Sequence, residues 1–407
     1  MLRELIKKRV EEKMVPFSSI EMKHRIENLK QKMDSQSVDC VLAVSYHHSF
    51  YLSGAPIFPF GRPVVTIIPR NGEAAIIEGD LERAHTERQT WIQDLRVYWD
   101  EKRPPWESAL LLTKDFLLER GLENARLGIE EEEMPISYLQ YLKKFLPRAN
   151  FVEFSDVLNS MRLVKSEEEL NLIRMASDVV DLGMEKLLAV IREGETAEAI
   201  RRTVCDEMTT YALRKYPDAP FLVLGGTGIK QVEKGCGHSP GWITHGTTQK
   251  VLKGLNYGGL DAWVWGYWGN VERNMIVTDA STSVMNDFKV MIEMHEAAIA
   301  AAMPGKRIAE IDRAAKLVLH KHGYPTRQYG SGCARGLAVY GTGLTGGREL
   351  KLDLRSYNEG LLEAGMIFSV EPELKTDAGT LRHSTTVLVT KNGNEVWSRI
   401  PRGLIIV

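Results

Sequence analysis

Apolar positions at Met22, Ile26, Leu29 and Met33 recur at helical spacing behind Ser18-x-x-Glu21, which predicts an amphipathic helix opened by a capping box. The apolar run Cys40 to Val44 predicts a strand, and Pro63–Ile68 with Glu73–Ile77 around Asn71-Gly72 predict a hairpin. The pattern then alternates: strand Leu95–Trp99, helix Trp106–Glu119, strand Arg126–Ile129, helix Ile136–Phe145 and strand Phe151–Phe154. Short strands alternating with helices of that length imply an α/β domain. The residues ahead of Pro16 and Phe17 are charged and read as an arm or loose helix.

Near Met161 the periodicity lengthens. Ser166 to about Ile191 and Thr196 to about Lys215 predict long helices, each with acidic side chains in the first turn, where they oppose the positive end of the helix dipole. A Gly-rich segment, 225–237, precedes two long apolar strands flanking Gly266. Helix Asn286–Met303 is stopped by Pro304-Gly305, helix Ile308–His322 by Gly323, and a strand-rich tail follows. The change in pattern divides the chain into an N-terminal domain, 1–160, and a C-terminal domain, 161–407.

Composition narrows the function. The chain has 407 residues, 43% hydrophobic and 26% charged, which suffices for two cores. Its net charge of -2 with interspersed signs offers no basic footprint for nucleic acid or an acidic membrane. No apolar run reaches the length of a signal peptide core or a membrane span, so the expected location is the cytoplasm. Cys40, Cys205, Cys236 and Cys333 lie far apart without a C-x-x-C pair and read as reduced thiols.

The hairpin segment Gly254 to Asn274 is the richest in chemistry. Trp263, Trp265, Tyr267 and Trp268 crowd it, and simple alternation puts the first three on one face and Trp268 on the other. Aromatic faces attract cationic nitrogen groups. Within it, Gly266-Tyr267-x-x-Asn270-x-x-Arg273-Asn274 resembles the Gly-Tyr-x-x-Asp-x-x-Arg-Thr hairpin of the creatinase, prolidase and methionine aminopeptidase superfamily. Arg162-Leu-Val-Lys-Ser-Glu-Glu-Glu-Leu resembles the opening of that superfamily's pita-bread domain. Gly365-Met-Ile-Phe-Ser-Val-Glu-Pro-Glu373 resembles its penultimate strand, and Arg382 to Thr390 its last. The resemblance implies a smaller N-terminal α/β creatinase-type domain and a C-terminal pita-bread α+β domain.

It also implies a set of metal positions. Where the metallopeptidases carry Asp, Asp, His, Glu and Glu, this chain has Gly259, Asn270, Cys333, Glu371 and Ser384. Two divalent cations need several anionic oxygen or imidazole ligands, which this set does not supply. The expectation is a site with no metal and no cofactor, in a hairpin that keeps the frame and loses the charge.

Further resemblance points to the creatinase branch. Phe60-Gly61-Arg62-Pro63 is similar to a loop whose Phe and Arg reach the substrate across a dimer, and Gly347-Arg348-Glu349 to a loop carrying a second carboxylate-binding Arg. Glu272 and Glu371 match glutamates that hold a guanidinium. Two converging carboxylates are most stable with a cation between them, which without a metal is expected from the substrate. The resemblance calls for a proton-shuttling histidine before the hairpin, and His245 and His238 both qualify. Tyr267, Trp268 and Cys333, the last in place of a pocket histidine, complete the expected pocket. The implied activity is metal-independent hydrolysis of a C–N bond in a small zwitterion, either a creatine-like guanidino acid or an N-methylated amino acid derivative. The implied assembly is a homodimer, with Arg62 contributed across the interface. Elimination from a betaine-like or sulfonium substrate, and binding without catalysis, are the alternatives.

Overall fold

The computed structural model describes residues 16–57, 61–231, 250–325, 330–337 and 353–407, with only the backbone described for 224–231. They fall into two compact units, one through Arg162 and one from Leu163 onward.

In the first unit, six strands form one sheet in the order β4-β3-β2-β1-β5-β6. They are β1 (Cys40–Ala43), β2 (Val65–Pro69), β3 (Ala75–Gly79), β4 (Asp94–Tyr98), β5 (Arg126–Ile129) and β6 (Asn150–Glu153). The expected hairpin β2–β3 is antiparallel, whereas β3–β4, β1–β5 and β5–β6 are parallel. The helices are α1 (Ser19–Ser35), α2 (Tyr46–Ser53), α3 (Arg83–Gln89), α4 (Pro105–Glu119), α5 (Ile136–Phe145) and α6 (Ser155–Met161). Ser18 caps α1 by accepting the Glu21 N–H at 3.1 Å, but the box stays open because the Glu21 carboxylate takes Arg25 Nε at 2.7 Å. Helix α2 was not legible in the sequence because it has no solvent-exposed face to set a polar–apolar periodicity: all of His47 to Ser53 are buried, polar residues included. Its start is held by Ser45, whose Oγ donates to the buried Glu130 at 2.6 Å.

The second unit begins with α7 (Glu167–Val190), opened by a complete capping box between Ser166 and Glu169, and α8 (Ala197–Lys215). Strands β7 (Phe221–Gln231), β8 (Gly254–Val264) and β9 (Tyr267–Val277) form an antiparallel sheet, order β7-β8-β9. β7, not predicted from the sequence, runs into the Gly-rich segment; the pairing with β8 outweighs the weak strand propensity of its glycines. Helices α9 (Thr282–Ala301) and α10 (Ala309–Lys321) precede strands β10 (Gly332–Ala334), β11 (Ile367–Val370), β12 (Glu373–Thr376), β13 (Gly379–Arg382), β14 (Thr385–Thr390) and β15 (Gly393–Val396). Of these, β10-β11-β14-β15 make a second sheet and β12-β13 a separate ribbon.

The β8–β9 hairpin is the centre of this unit. Trp265 (φ 50°) and Gly266 (φ 75°) form a two-residue turn that pairs Val264 with Tyr267. One face, with Leu260, Ala262, Val271 and Met275, packs on Val180, Met184 and Leu187 of α7. Approach there is close: a Cβ at Gly269 would lie 2.5 Å from the backbone carbon of Ala176, so only glycine fits. The opposite face turns toward β10, β11 and the β13–β14 junction. Among the described residues, no helix is long and apolar enough to cross a membrane.

Candidate functional site

Antiparallel register sets Gly259 opposite Glu272 and Asp261 opposite Asn270, all on the hairpin face away from α7. Ser384 stitches the second sheet to this face: its N–H donates to Glu272 O at 3.0 Å, and Glu272 N–H donates to Ser384 O at 3.4 Å. Cys333 on β10 and Ser369 on β11 are paired residues, so they arrive side by side.

The described side chains join in one network. Ser384 Oγ donates to Asn270 Oδ1 at 2.7 Å and shares a 2.6 Å hydrogen bond with Ser369, whose Oγ reaches Glu371 at 3.1 Å. Cys333 Sγ lies 3.8 Å from the other Glu371 oxygen. Asn270, Cys333, Glu371 and Ser384 therefore converge as the resemblance implies.

The expectation that this face lost its charge is corrected by Asp261. Its carboxylate, two residues nearer the turn than Gly259, accepts Trp268 Nε1 and Asn270 Nδ2, each at 2.8 Å. Burial pushes its pKa above the usual carboxylate range, against those two hydrogen bonds.

Cations are supplied by the chain itself, a second correction. Arg382 grips both oxygens of Glu272 at 2.7 Å through Nε and Nη2. Burial opposes the charge on Arg382, but Glu272 and Glu371 outweigh it and hold the guanidinium protonated. The neighbouring Arg273 does not serve Glu272's carboxylate; it donates to the backbone oxygens of Glu272, Ser384, Ile400 and Pro401, and burial lowers its pKa to about 10. A further guanidinium, Arg335, lies 3.8 Å over the Trp268 ring and donates from Nη2 to Asn270 Oδ1 at 2.8 Å.

The aromatic assignment also changes. A two-residue turn resets the alternation, so Trp263 stands opposite Trp268 and the rings stack at 6.2 Å, next to Cys333. Tyr267 is on the helix side instead, where its hydroxyl donates to Glu169 on α7 at 2.8 Å, and it leaves the expected pocket. Arg62, at 37% side-chain exposure, pairs with Asp100 at 2.7 Å. Phe60, His238, His245 and Arg348 lie outside the described residues. Asp261, Arg335, Arg382 and Trp263 were not singled out as site residues. Of these, Asp261 had a signal, since it sits at i+2 from Gly259 on the same strand face.

This donor set does not fit a dinuclear metal centre. Asn270 Oδ1 is engaged by Arg335 and Ser384, both oxygens of Glu272 are engaged by Arg382, and serine and cysteine replace hard anionic ligands.

Residues 171–391 match the model of "Metallopeptidase family M24", and residues 25–164 that of the "Creatinase/Prolidase N-terminal domain". A creatinase from a Bacillus species is 26% identical over 406 residues, spanning 96% of this chain and 94% of the relative. The Xaa-Pro dipeptidase of Pyrococcus horikoshii is 24% identical, spanning 94% of this chain and 99% of the relative. The crystal structure of the prolidase from the same organism superposes with a TM-score of 0.73 at 23% identity, covering 94% of this chain and 100% of that one, a likeness of fold.

Proposed function

This chain belongs to metallopeptidase family M24, in the two-domain form shared by creatinase and prolidase, and from that premise we propose that it is a hydrolase that cleaves a C–N bond of a small zwitterion without a metal ion. The observation that supports this reading is Arg335: a guanidinium, bonded to Asn270 Oδ1, stands among the positions where the family pattern places metal ligands. A fixed cation there disfavours a divalent ion by direct repulsion.

In this reading Asp261 and Glu371 receive the cationic nitrogen end of the substrate, and Trp263 and Trp268 form an aromatic wall beside it. Glu272, held by Arg382, is a positioning residue. His238 or His245 takes a proton from water as its oxygen bonds to the substrate carbon; the C–N bond breaks, and the leaving nitrogen takes that proton. Arg62 and Arg348 hold the outer carboxylate, Arg62 from the second subunit of a homodimer. For Arg62 this requires sharing or releasing its pair with Asp100.

The test is turnover of creatine, other guanidino acids, N-methylated amino acids, betaines and Xaa-Pro dipeptides by metal-stripped protein, with chelator and with added manganese in parallel. Chelator-insensitive release of an amine or urea, with oxygen from labelled water in the product, is the expected result. Cleavage of Xaa-Pro dipeptides only with manganese would overturn metal independence. A product without solvent oxygen would indicate elimination.

Binding without turnover is a second reading, favoured by the Glu272–Arg382 pair, which occupies a carboxylate that the creatinase resemblance assigns to substrate. Ligand-dependent thermal stabilisation with no product from any of these compounds would select it.

A further inference from the structure

The two site arginines differ in one respect. Arg382 is neutralised by a bidentate carboxylate, with a second carboxylate, Glu373, 3.6 Å away. Arg335 is fully buried, and among the described residues no carboxylate pairs with it. Its backbone is fixed by an N–H bond to Ile367 O at 2.8 Å, and its guanidinium plane by Trp268 below. Nη2 is used by Asn270 Oδ1 at 2.8 Å and Ser384 Oγ at 3.5 Å, whereas Nε and Nη1 have no hydrogen-bond partner among the described residues.

A guanidinium carries five N–H donors, and leaving buried ones unanswered is unfavourable. The Asp261 carboxylate attracts this guanidinium through space and offsets part of its loss of water, but among the described residues it forms no ion pair with Arg335. The stacked tryptophan offsets part of this but accepts no N–H bond in the guanidinium plane. What Nε and Nη1 lack, among the described residues, is an oxygen in direct hydrogen-bond contact.

We infer that Arg335 is an anion-recognition residue, receiving a carboxylate of a small ligand on Nε and Nη1 at the position the family pattern gives to a metal. The inference rests on the reading above that this site takes a small zwitterion, and it adds where the anionic end is held: inside the network, beside Asn270 and Ser384, rather than solely on Arg62 and Arg348. Asp261 and Glu371 then face the opposite, cationic end. The ligand class is a compact carboxylate whose cationic nitrogen lies within a few bonds of it, and neutral amides or esters of the same skeleton are excluded.

The probe is sodium acetate, titrated against chloride at constant ionic strength into the full-length protein, read by tryptophan fluorescence and thermal shift. Wild type should show saturable stabilisation and a fluorescence change that disappears in Trp268→Phe, and Arg335→Gln should bind at least tenfold more weakly. Arg335→Lys keeps the charge but loses the fork, so its affinity should fall between the two. No saturable acetate effect in wild type, or equal acetate affinity in Arg335→Gln, overturns the inference. If Arg335→Gln does not fold, the Lys variant decides: wild-type affinity overturns, weaker binding supports. Turnover separates this from the proposed function. Acetate binding that depends on Arg335 without C–N cleavage leaves the anion site standing and sinks the hydrolase reading. Cleavage with an unchanged KM in Arg335→Gln does the reverse.

Discussion

The two faces of the β8–β9 hairpin share one backbone and almost complete burial, yet they are built by opposite rules. The face toward α7 is closed by volume: Leu260, Ala262, Val271 and Met275 fill the space, and Gly269 lets the strand approach the helix backbone. The face toward β10 and β11 is closed by polar pairing, in which Asp261, Asn270, Glu272 and Ser384 find partners on other strands. Residues one position apart therefore carry different kinds of risk. A volume error on the helix face creates a clash, whereas on the polar face the loss of one partner strands the other.

Four measurements bear on that contrast. Arg382→Met should cost about 3–5 kcal/mol of unfolding free energy in denaturant titration, because it leaves Glu272 buried without its cation. The double variant with Glu272→Gln should recover part of that loss; equal stability of the single and double variants would break the pairing account. Gly269→Ala, on the other face, should cost about 2–3 kcal/mol through overpacking against Ala176, with the site's ligand affinity unchanged if the protein folds.

The same contrast holds across the β13–β14 junction, where Arg382 and Ser384 face the site and His383 points away to pack on Phe288 and His295. Burial lowers the His295 pKa to about 3 and holds His383 well below its ordinary value. The unfolded chain protonates these imidazoles near pH 6.5 and the folded chain does not, so stability falls as pH drops below that value toward the folded pKa. For His295 alone the loss at pH 5 is about 2 kcal/mol. Asp261 acts in the opposite direction: its raised pKa makes the fold bind its proton more readily, and the corresponding stabilisation fades as pH rises through the folded value. Denaturation curves between pH 7 and 4.5 should show a shallower acid loss in His295→Leu than in wild type. An unchanged slope would remove His295 as a cause. The smallest effect is expected for Tyr267→Phe, about 1 kcal/mol from the lost bond to Glu169, with catalysis untouched. A large drop in kcat there would return Tyr267 to the pocket.

Much of this was legible from the chain. The long helices, the hairpin about Asn71-Gly72 and the turn at Gly266 follow from periodicity and turn chemistry, which are local. The gathering of Asn270, Cys333, Glu371 and Ser384 was implied by the family resemblance, because the order of motifs carried the family's topology with it. The buried helix Tyr46–Ser53 and the glycine-bearing strand β7 were not legible, since tertiary burial and cross-strand pairing overrode their local preferences. The face of Trp263 was misread because a two-residue turn resets strand alternation.

By itself the sequence determined which ligand types are missing from the family pattern, because that is a matter of residue identity at fixed spacing. Only the tertiary structure decided where the charges went. Arg335, just after β10, and Arg382, at the end of β13, are far from Asn270 and Glu272 in sequence, and which side chain meets a guanidinium depends on how separate segments are brought together. Arg273, adjacent in sequence to Glu272, spends its donors on backbone carbonyls instead of the carboxylate.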